Sequence, residues 1–424
     1  MSLTKALKLS SLTLAFGAMA STGYAADSTE IAQLRAEIQE LRALVQQQGQ
    51  QLAVQENTVQ QTSQQLQAVQ SSPAVTVDPQ NLKLTTKKGA SVDVYGFIRG
   101  DANYIIEGAD GDFNNVGGTD GKTKDKLVAT AKTTRIGLDF KTPIAGQDVG
   151  GKIEVDFNGA SENLRIRHAY LTLNNWLFGQ TTSNFLSNHA PEMIDFGTNI
   201  GGGTGRLPQV RYAFNLAPAT QLLFSAEEGK TSGDETVKYS IPAFTAKLNQ
   251  GFADGKGNAS FRGMVERYKA NTADDTGWGL AAGVTYQVIE PLKLTADFSH
   301  IEGNNYYLYE SDENAAFTAN GDDLAQNEFN AFQVGATYKI LPNLRSTIGY
   351  GAMIADDDSE YADLNPSANK EVQQAWINFI YSPVKPVDLG IEYINGKRET
   401  FEPNANGDKK FNDNRVGFMA RYNF

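Results

Sequence analysis

From residue 92 to the C-terminus, apolar and polar residues alternate in short runs of period two. That is the pattern of strands that show one face to an apolar medium and the other to water. The last segment is the plainest case: Val416, Phe418, Ala420, Tyr422 and Phe424 alternate with Arg415, Gly417, Met419, Arg421 and Asn423. Ile136, Leu138 and Phe140 alternate with Arg135, Gly137 and Asp139; Ile153, Val155 and Phe157 alternate with Lys152, Glu154 and Asp156. A soluble sandwich alternates in the same way strand by strand. The connections separate the two folds, because a membrane barrel has short turns at one end and carries long loops at the other.

Ala217-Pro218-Ala219-Thr220, Glu290-Pro291, Leu341-Pro342-Asn343 and Ser382-Pro383-Val384-Lys385-Pro386 read as tight turns. Between them lie long stretches rich in Asp, Asn and Gly: Gly108 to Lys126, Gly303 to Asn327, Asp356 to Lys370 and Phe401 to Asp413. Strand starts are expected near Val92, Ala129, Asp148, Leu164, Trp176, Leu207, Thr220, Thr236, Ala259, Trp278, Leu292, Glu328, Leu344, Val372, Val387 and Asn414, sixteen in all. An even number returns both ends of the barrel to one side. In the eighth strand the apolar set Val237, Tyr239 and Ile241 changes parity to Phe244, Ala246 and Leu248 across Pro242, where a bulge is expected. The fold class is thus an all-β transmembrane barrel of about sixteen antiparallel strands, preceded by an α-helical coiled-coil stalk.

Four segments are expected: a signal peptide over residues 1–25, the stalk over 27–70, a linker over 71–91 and the barrel over 92–424. Lys5 and Lys8 precede an apolar run from Leu9 to Ala20 and a Gly23-Tyr24-Ala25 cleavage site, a run too short for a membrane anchor. Ile31, Ile38, Val45, Leu52, Val59 and Leu66 repeat in sevens, with Leu34, Leu41, Gln48, Gln55, Thr62 and Val69 at the second core position. Glu30 and Glu37 then fall at g and Arg35 and Arg42 at the following e, the spacing of salt bridges between parallel neighbours; two and three chains both remain open. Ser71-Ser72-Pro73 stops the helix.

The chain carries a formal charge of -12, which becomes -14 once the signal and its two lysines are removed. Such acidity argues against nucleic acid as a partner. The absence of cysteine excludes disulfides and thiol chemistry and suits passage through an oxidising periplasm. After the signal, no stretch of eighteen or more apolar residues spans lipid as a helix.

If the apolar face meets lipid, the other lines a water-filled lumen. The expected inward set is basic: Arg99, Arg135, Arg165, Arg167, Arg211, Lys247, Arg262, Arg345, Arg415 and Arg421, against Asp101, Glu154, Asp156 and Glu227. A guanidinium stays ionised and pairs with both oxygens of a carboxylate, so a ladder of arginines suits small dianions. In Leu164-Arg165-Ile166-Arg167-His168-Ala169-Tyr170 the two arginines share the inward face, while His168 shares parity with Tyr170 on the lipid face. The stretch Thr181 to Arg206 contains Phe185, Pro191, Met193, Ile194 and Phe196, and is expected to fold into the barrel, with Glu192, Asp195, Phe196 and Arg206 at a constriction. Pairing of each arginine with a wall acid, serving only stability, is the alternative.

These residues resemble the DcaP-like trimeric outer-membrane porins. The likeness rests on the heptad stalk, Tyr95-Gly96-Phe97, the R-x-R-H-A-Y segment Arg165 to Tyr170, Gly179-Gln180-Thr181, Pro191-Glu192, Asp195-Phe196-Gly197, Pro208-Gln209-Val210-Arg211-Tyr212 and Tyr381-Ser382-Pro383. It implies a sixteen-stranded homotrimer whose basic channel favours anions such as dicarboxylates, with Arg165, Arg167 and Arg211 among the contacts. Phe424, with Tyr422, resembles the last-strand signal read by the barrel-assembly machinery. Expected partners are outer-membrane lipid, lipopolysaccharide and small anionic solutes; no cofactor and no metal is expected. Two rival functions are a barrel hydrolase, for which His168, His189 and His300 form no evident triad, and a structural anchor or cell-wall tether with incidental conductance.

Overall fold

The computed structural model describes residues 89–424 apart from 196–198, 204, 230–236, 271–272, 309–310, 313–314 and 319–320, together with 75–78, 83–86, 36, 39–40, 43–47 and 49–50. The signal segment and most of the expected stalk lie outside these residues, as does Phe196; the described stalk positions are helical.

Within the larger unit, residues 74–424, the strands in chain order are β1 Val75–Asp78, β2 Lys83–Thr86, β3 Ser91–Gly108, β4 Thr123–Thr130, β5 Arg135–Ile144, β6 Gln147–Asp156, β7 Arg165–Leu173, β8 Trp176–Thr182, β9 Arg206–Ala217, β10 Thr220–Glu227 and β11 Lys238–Tyr239. There follow β12 Ala243–Phe252, β13 Gly257–Lys269, β14 Asp274–Ile289, β15 Leu292–Glu302, β16 Ala315–Phe317, β17 Leu324–Gln326, β18 Glu328–Leu341, β19 Leu344–Ala355, β20 Asn369–Val384, β21 Val387–Thr400 and β22 Lys410–Asn423. β4 and β5 both pair with β3 and together form one broken strand; β11 and β12 both pair with β13 and form another. With β22 paired back onto β3, the ring closes as sixteen antiparallel strands. Closure matters because hydrocarbon offers no partner to an unpaired backbone edge.

The ring is sealed at its short-turn end by a reciprocal pair between Gly96 and Phe424, each amide donating to the other's carbonyl at 3.0 Å. Gly96 has no room for a side chain: a Cβ there would sit 2.2 Å from the Arg135 carbonyl oxygen. The tight turns expected at 217–220, 290–291 and 341–343 join adjacent strands at this end. At the fourth, Ser382, Pro383 and Val384 still belong to β20, so the turn itself is Lys385-Pro386.

Three expectations need correction. The second strand begins at Thr123, inside the stretch read as loop, because Lys124 and Lys126 look solvated in sequence yet pair with Glu107 and Asp110 above the apolar belt. In the eighth strand, Tyr239 faces Tyr268 and Phe244 faces Val265, so five steps on one strand match three on the other and two extra residues loop out near Pro242. The parity change has a separate cause: Val237 is buried and Tyr239 packs on Tyr268 inside the barrel, whereas Phe244 is 51% exposed on the lipid face. Finally, Gly303 to Asn327 and Asp356 to Lys370 do not stay outside as polar loops. Tyr306, Tyr307, Leu308, Tyr361 and Ala362 pack with Phe185, Leu186, Ile200 and Phe329 in one apolar cluster.

Replacing Gly96 by Val is expected to abolish most of the compact, heat-modifiable form seen on unheated SDS gels, since the new side chain collides with backbone at the seam. A wild-type yield of that form would contradict this account of closure.

Candidate functional site

The described residues of the loop 183–205, between β8 and β9, lie inside the ring and follow the wall from β10 through β22 to β3. At its start the Asn184 amide donates to Glu227 at 3.1 Å, Ser187 to Asp297 at 2.5 Å, and Lys247 to the Leu186 carbonyl at 3.0 Å. The His189 ring is held between Thr285 at 3.0 Å and Ser260 at 2.9 Å; burial, with Arg262 and Lys247 beside it, pushes its pKa down to about 4. Wall glycines make space for this path. A Cβ on Gly335 would lie 2.5 Å from Pro191, and one on Gly390 2.5 Å from Ile194.

The loop tip is fixed most firmly. Glu392, 1% exposed, accepts the amides of Ile194 at 2.9 Å and Asp195 at 2.7 Å, and the Asn378 side chain at 2.9 Å. Arg99 donates to the Ile194 carbonyl at 2.5 Å, and the Ile194 side chain fills a socket between Ile380 and Met419. Glu192 accepts two bonds from Arg345, both 2.8 Å, while Trp376 and Asn378 donate to its carbonyl. Asp195 accepts the Asn114 amide at 2.9 Å, tying a second loop to the first. A neutral hydrogen bond is worth about 0.5–1.5 kcal/mol net and one involving a charged group about 1.5–3 kcal/mol, so a set of this size holds a short tip against its ordering entropy.

With the loop along β10 through β22 to β3, the wall from β5 to β9 faces it across the lumen. Arg135 lies 3.3 Å from Glu154, and Arg165 makes a two-pronged pair with Asp156 at 3.0 and 2.7 Å. Arg167 bridges Glu154 at 2.9 Å and Asp156 at 2.8 Å. Next along the wall, Arg211 donates to Gln209 at 3.0 Å and to the Thr182 carbonyl, and it has no carboxylate partner among the described residues. Arg206 opens β9, half-buried, with its backbone clamped by the Tyr306 hydroxyl. Segments distant in sequence thus converge: the Thr181 hydroxyl meets His168 at 2.9 Å and its carbonyl accepts from Gln209 at 3.0 Å.

His168 and Tyr170, both expected on the lipid face, lie inside the barrel, each beside an inward residue of β6 and packed on one another, while Leu171 meets lipid. Glu154 pairs with His168 and Val155 with Ile166, so Arg167 is an extra residue in β7. The bulge turns both Arg167 and His168 inward, leaving Ile166 on the lipid side. Arg99 and Arg262 do point inward, but at 2% and 3% exposure they are closed off: Arg99 by Asp101 and the loop tip, Arg262 by Asp297 at 2.7 Å. They clamp the loop and its wall rather than line open lumen. Arg415 is likewise buried against Asp413. The interior is also less lopsided in charge than expected, since Glu266, Asp297, Asp388, Glu392 and Asp413 turn inward as well. Alternation carried that signal: Asp297 sits between Ala296 and Phe298, and Glu392 between Ile391 and Tyr393.

A closed sixteen-strand ring narrowed by an inward loop defines the class, an outer-membrane porin. The chain matches the DcaP outer membrane protein family over residues 22–424 and belongs to that family. Among solved structures, the outer membrane channel DcaP of Acinetobacter baumannii is 61% identical over 80% of this chain and 99% of that one, with a TM-score of 0.76. OmpT of Vibrio cholerae, 14% identical over 79% of this chain and 98% of that one, has a TM-score of 0.54. An anion-selective porin from Comamonas acidovorans, 11% identical over 79% of this chain and 100% of that one, has a TM-score of 0.56. The last two share the fold alone. Among curated protein sequences none matches this chain.

Glu392→Leu is expected to strand two buried amides at about 1–3 kcal/mol each and free the tip, so single-channel current should rise and grow noisier. Unchanged conductance and noise would show that Glu392 does not hold the loop.

Proposed function

We propose that this porin favours small anions, dicarboxylates among them, and that they pass between the docked loop and the β5–β9 wall. One observation carries the reading. In two arginine pairs on the open wall the guanidinium stands nearer to water than its acid, 41% against 3% for Arg165 with Asp156 and 22% against 7% for Arg135 with Glu154, whereas Lys152 with Asp139 runs the other way at 24% against 34%. Arg421 with Asp388, 26% against 12%, repeats the pattern beyond the loop tip. Each arginine pair is neutral in sum but acts as a dipole with its positive end toward the solute, and Arg211 adds a cation that makes no salt bridge among the described residues. Arg165, Arg135, Arg206 and Arg211 are the proposed contacts, with Arg167, 8% exposed, holding Glu154 and Asp156 behind them, Glu192 setting the opposite edge and Asp195, 1% exposed, fixing the loop tip behind it. The Comamonas porin, described as anion-selective, shows that the fold accommodates such a preference.

We further infer that residues 27–70 form a parallel coiled coil in the periplasm, on the strength of six heptads with matched g and e charges in the first two, and that the assembly is a homotrimer, as the resemblance to the DcaP-like trimeric porins implies. Residues 1–25 are then the export signal, 71–91 the connection and 92–424 the porin domain, although two short strands, β1 and β2, already pair within the connection. Phe424, at the seam, is the residue offered to the barrel-assembly machinery.

Reversal potentials across a salt gradient should show anion preference, and cation preference would reject the reading. In Arg165→Ala/Arg167→Ala, Asp156 and Glu154 lose their cover, so dicarboxylate flux should fall on the order of tenfold, the equivalent of about 1.4 kcal/mol, while flux of a neutral sugar changes little. Equal loss for both solutes would mean that the two arginines are scaffold only. Removal of residues 27–70 should leave conductance intact while lowering the yield of trimer; loss of conductance in assembled barrels would overturn the assignment of transport to the barrel alone.

A further inference from the structure

On the outer face of β20, β21 and β22 the side chains fall into rows set by strand register. Ile377, Tyr393 and Val416 form one row; Ala375, Asn395 and Asn414 the next; then Gln373, Lys397 and Asn412; then Glu371, Glu399 and Lys410. The face therefore changes from apolar to amide to charged over three rows toward the long-loop end. Two residues of strand rise about 7 Å, so Lys397, four residues beyond Tyr393, stands clear of hydrocarbon at the depth of lipid headgroups.

The two upper rows form a cleft of about 340 Å³, lined by Glu371, Gln373, Lys397, Glu399, Lys410 and Asn412, with Arg398 and Phe411 at its edge. Lys410 is 78% exposed and reaches Glu399 at 3.1 Å. Lys397 is exposed, flanked in register by the Gln373 and Asn412 amides, and makes no ion pair among the described residues. The Lys397 ammonium offers charge to a phosphate, and the flanking amides, which donate one N–H each to Glu371 and Glu107, keep a second N–H for its oxygens; Glu371 and Glu399, already accepting from Gln373 and Lys410, have lone pairs left for sugar hydroxyls. A cleft with these groups just above an apolar belt matches a phosphorylated sugar carrying acyl chains.

We propose that this cleft binds the phosphorylated glucosamine headgroup of outer-leaflet lipopolysaccharide, with Lys397 and Lys410 on a phosphate and the acyl chains lying along Ile377, Tyr393 and Phe418. The proposal rests on the long loops facing the cell exterior. That orientation is checked separately with Ala405→Cys in the final loop, since the chain has no other cysteine. A membrane-impermeant maleimide should label it on intact cells, and absence of labelling there, with labelling in lysed cells, would overturn the orientation and the proposal with it.

The binding test uses purified full-length assembly in detergent, with native mass spectrometry to count bound lipid. Rough lipopolysaccharide, the same material with its lipid A phosphates removed, and phosphatidylglycerol are added in turn. The wild type should retain the phosphorylated glycolipid at least fivefold better than either comparator. Lys397→Glu/Lys410→Glu should lose that preference, and Lys397→Arg should keep it. Both charge reversals sit on the lipid-facing rim, away from the lumen, so ion conductance serves as the control for folding. Equal retention by the wild type and the double variant would overturn the proposal. So would equal binding of phosphatidylglycerol, which would reduce the cleft to general attraction for anionic lipid.

Discussion

Every backbone amide and carbonyl that crosses hydrocarbon must find a partner within the protein, and the ring meets that demand only when β22 returns to β3. The strand count, the common side of the two barrel ends and the lumen all follow from that closure. So does the fate of the charged side chains. Residues that alternate away from lipid are forced into one enclosed space, where an unpaired charge is costly and each must find a counter-charge, a backbone group or water.

The inward loop decides which of these the charges find. By lying on the wall from β10 through β22 to β3 it closes off that half of the interior, and there Arg99, Arg262 and Glu392 act as fixed anchors against backbone and acid partners. In the half it leaves open, Arg135 and Arg165 stand at the surface in front of their acids, with Arg167 buried between Glu154 and Asp156. One set of inward charges thus divides into two roles according to a single docked segment. Inward folding of residues 306–308 and 361–362 strengthens the division by closing the space behind the loop.

Strand number, the short-turn end and the inward loop were legible in the sequence because period-two alternation and Pro-containing turns are local signals. What escaped it was non-local or off-period. The extra residue at Arg167 shifts parity within β7, which an alternation count misses because Ile166 before it still falls on the lipid face and the polar His168 after it breaks no apolar run. Arg99 and Arg262 were assigned to the correct face, but their burial depends on a loop far away in sequence. Asp- and Asn-rich composition masked the inward-packing loops, although the run Tyr306-Tyr307-Leu308 is an apolar signal that marks one of them. In the eighth strand Val237 and Tyr239 turn inward although an apolar residue on a barrel strand usually meets lipid, because near the long-loop end the interior is apolar too.

The division of the interior into a closed-off and an open half is tested most directly by locating bromide through anomalous diffraction in crystals soaked at moderate concentration. Bromide should appear beside Arg165, Arg135 and Arg211 along the β5–β9 wall, with none at Arg99, Arg262 or Arg415. Peaks at those buried guanidiniums with the β5–β9 wall empty would contradict the account.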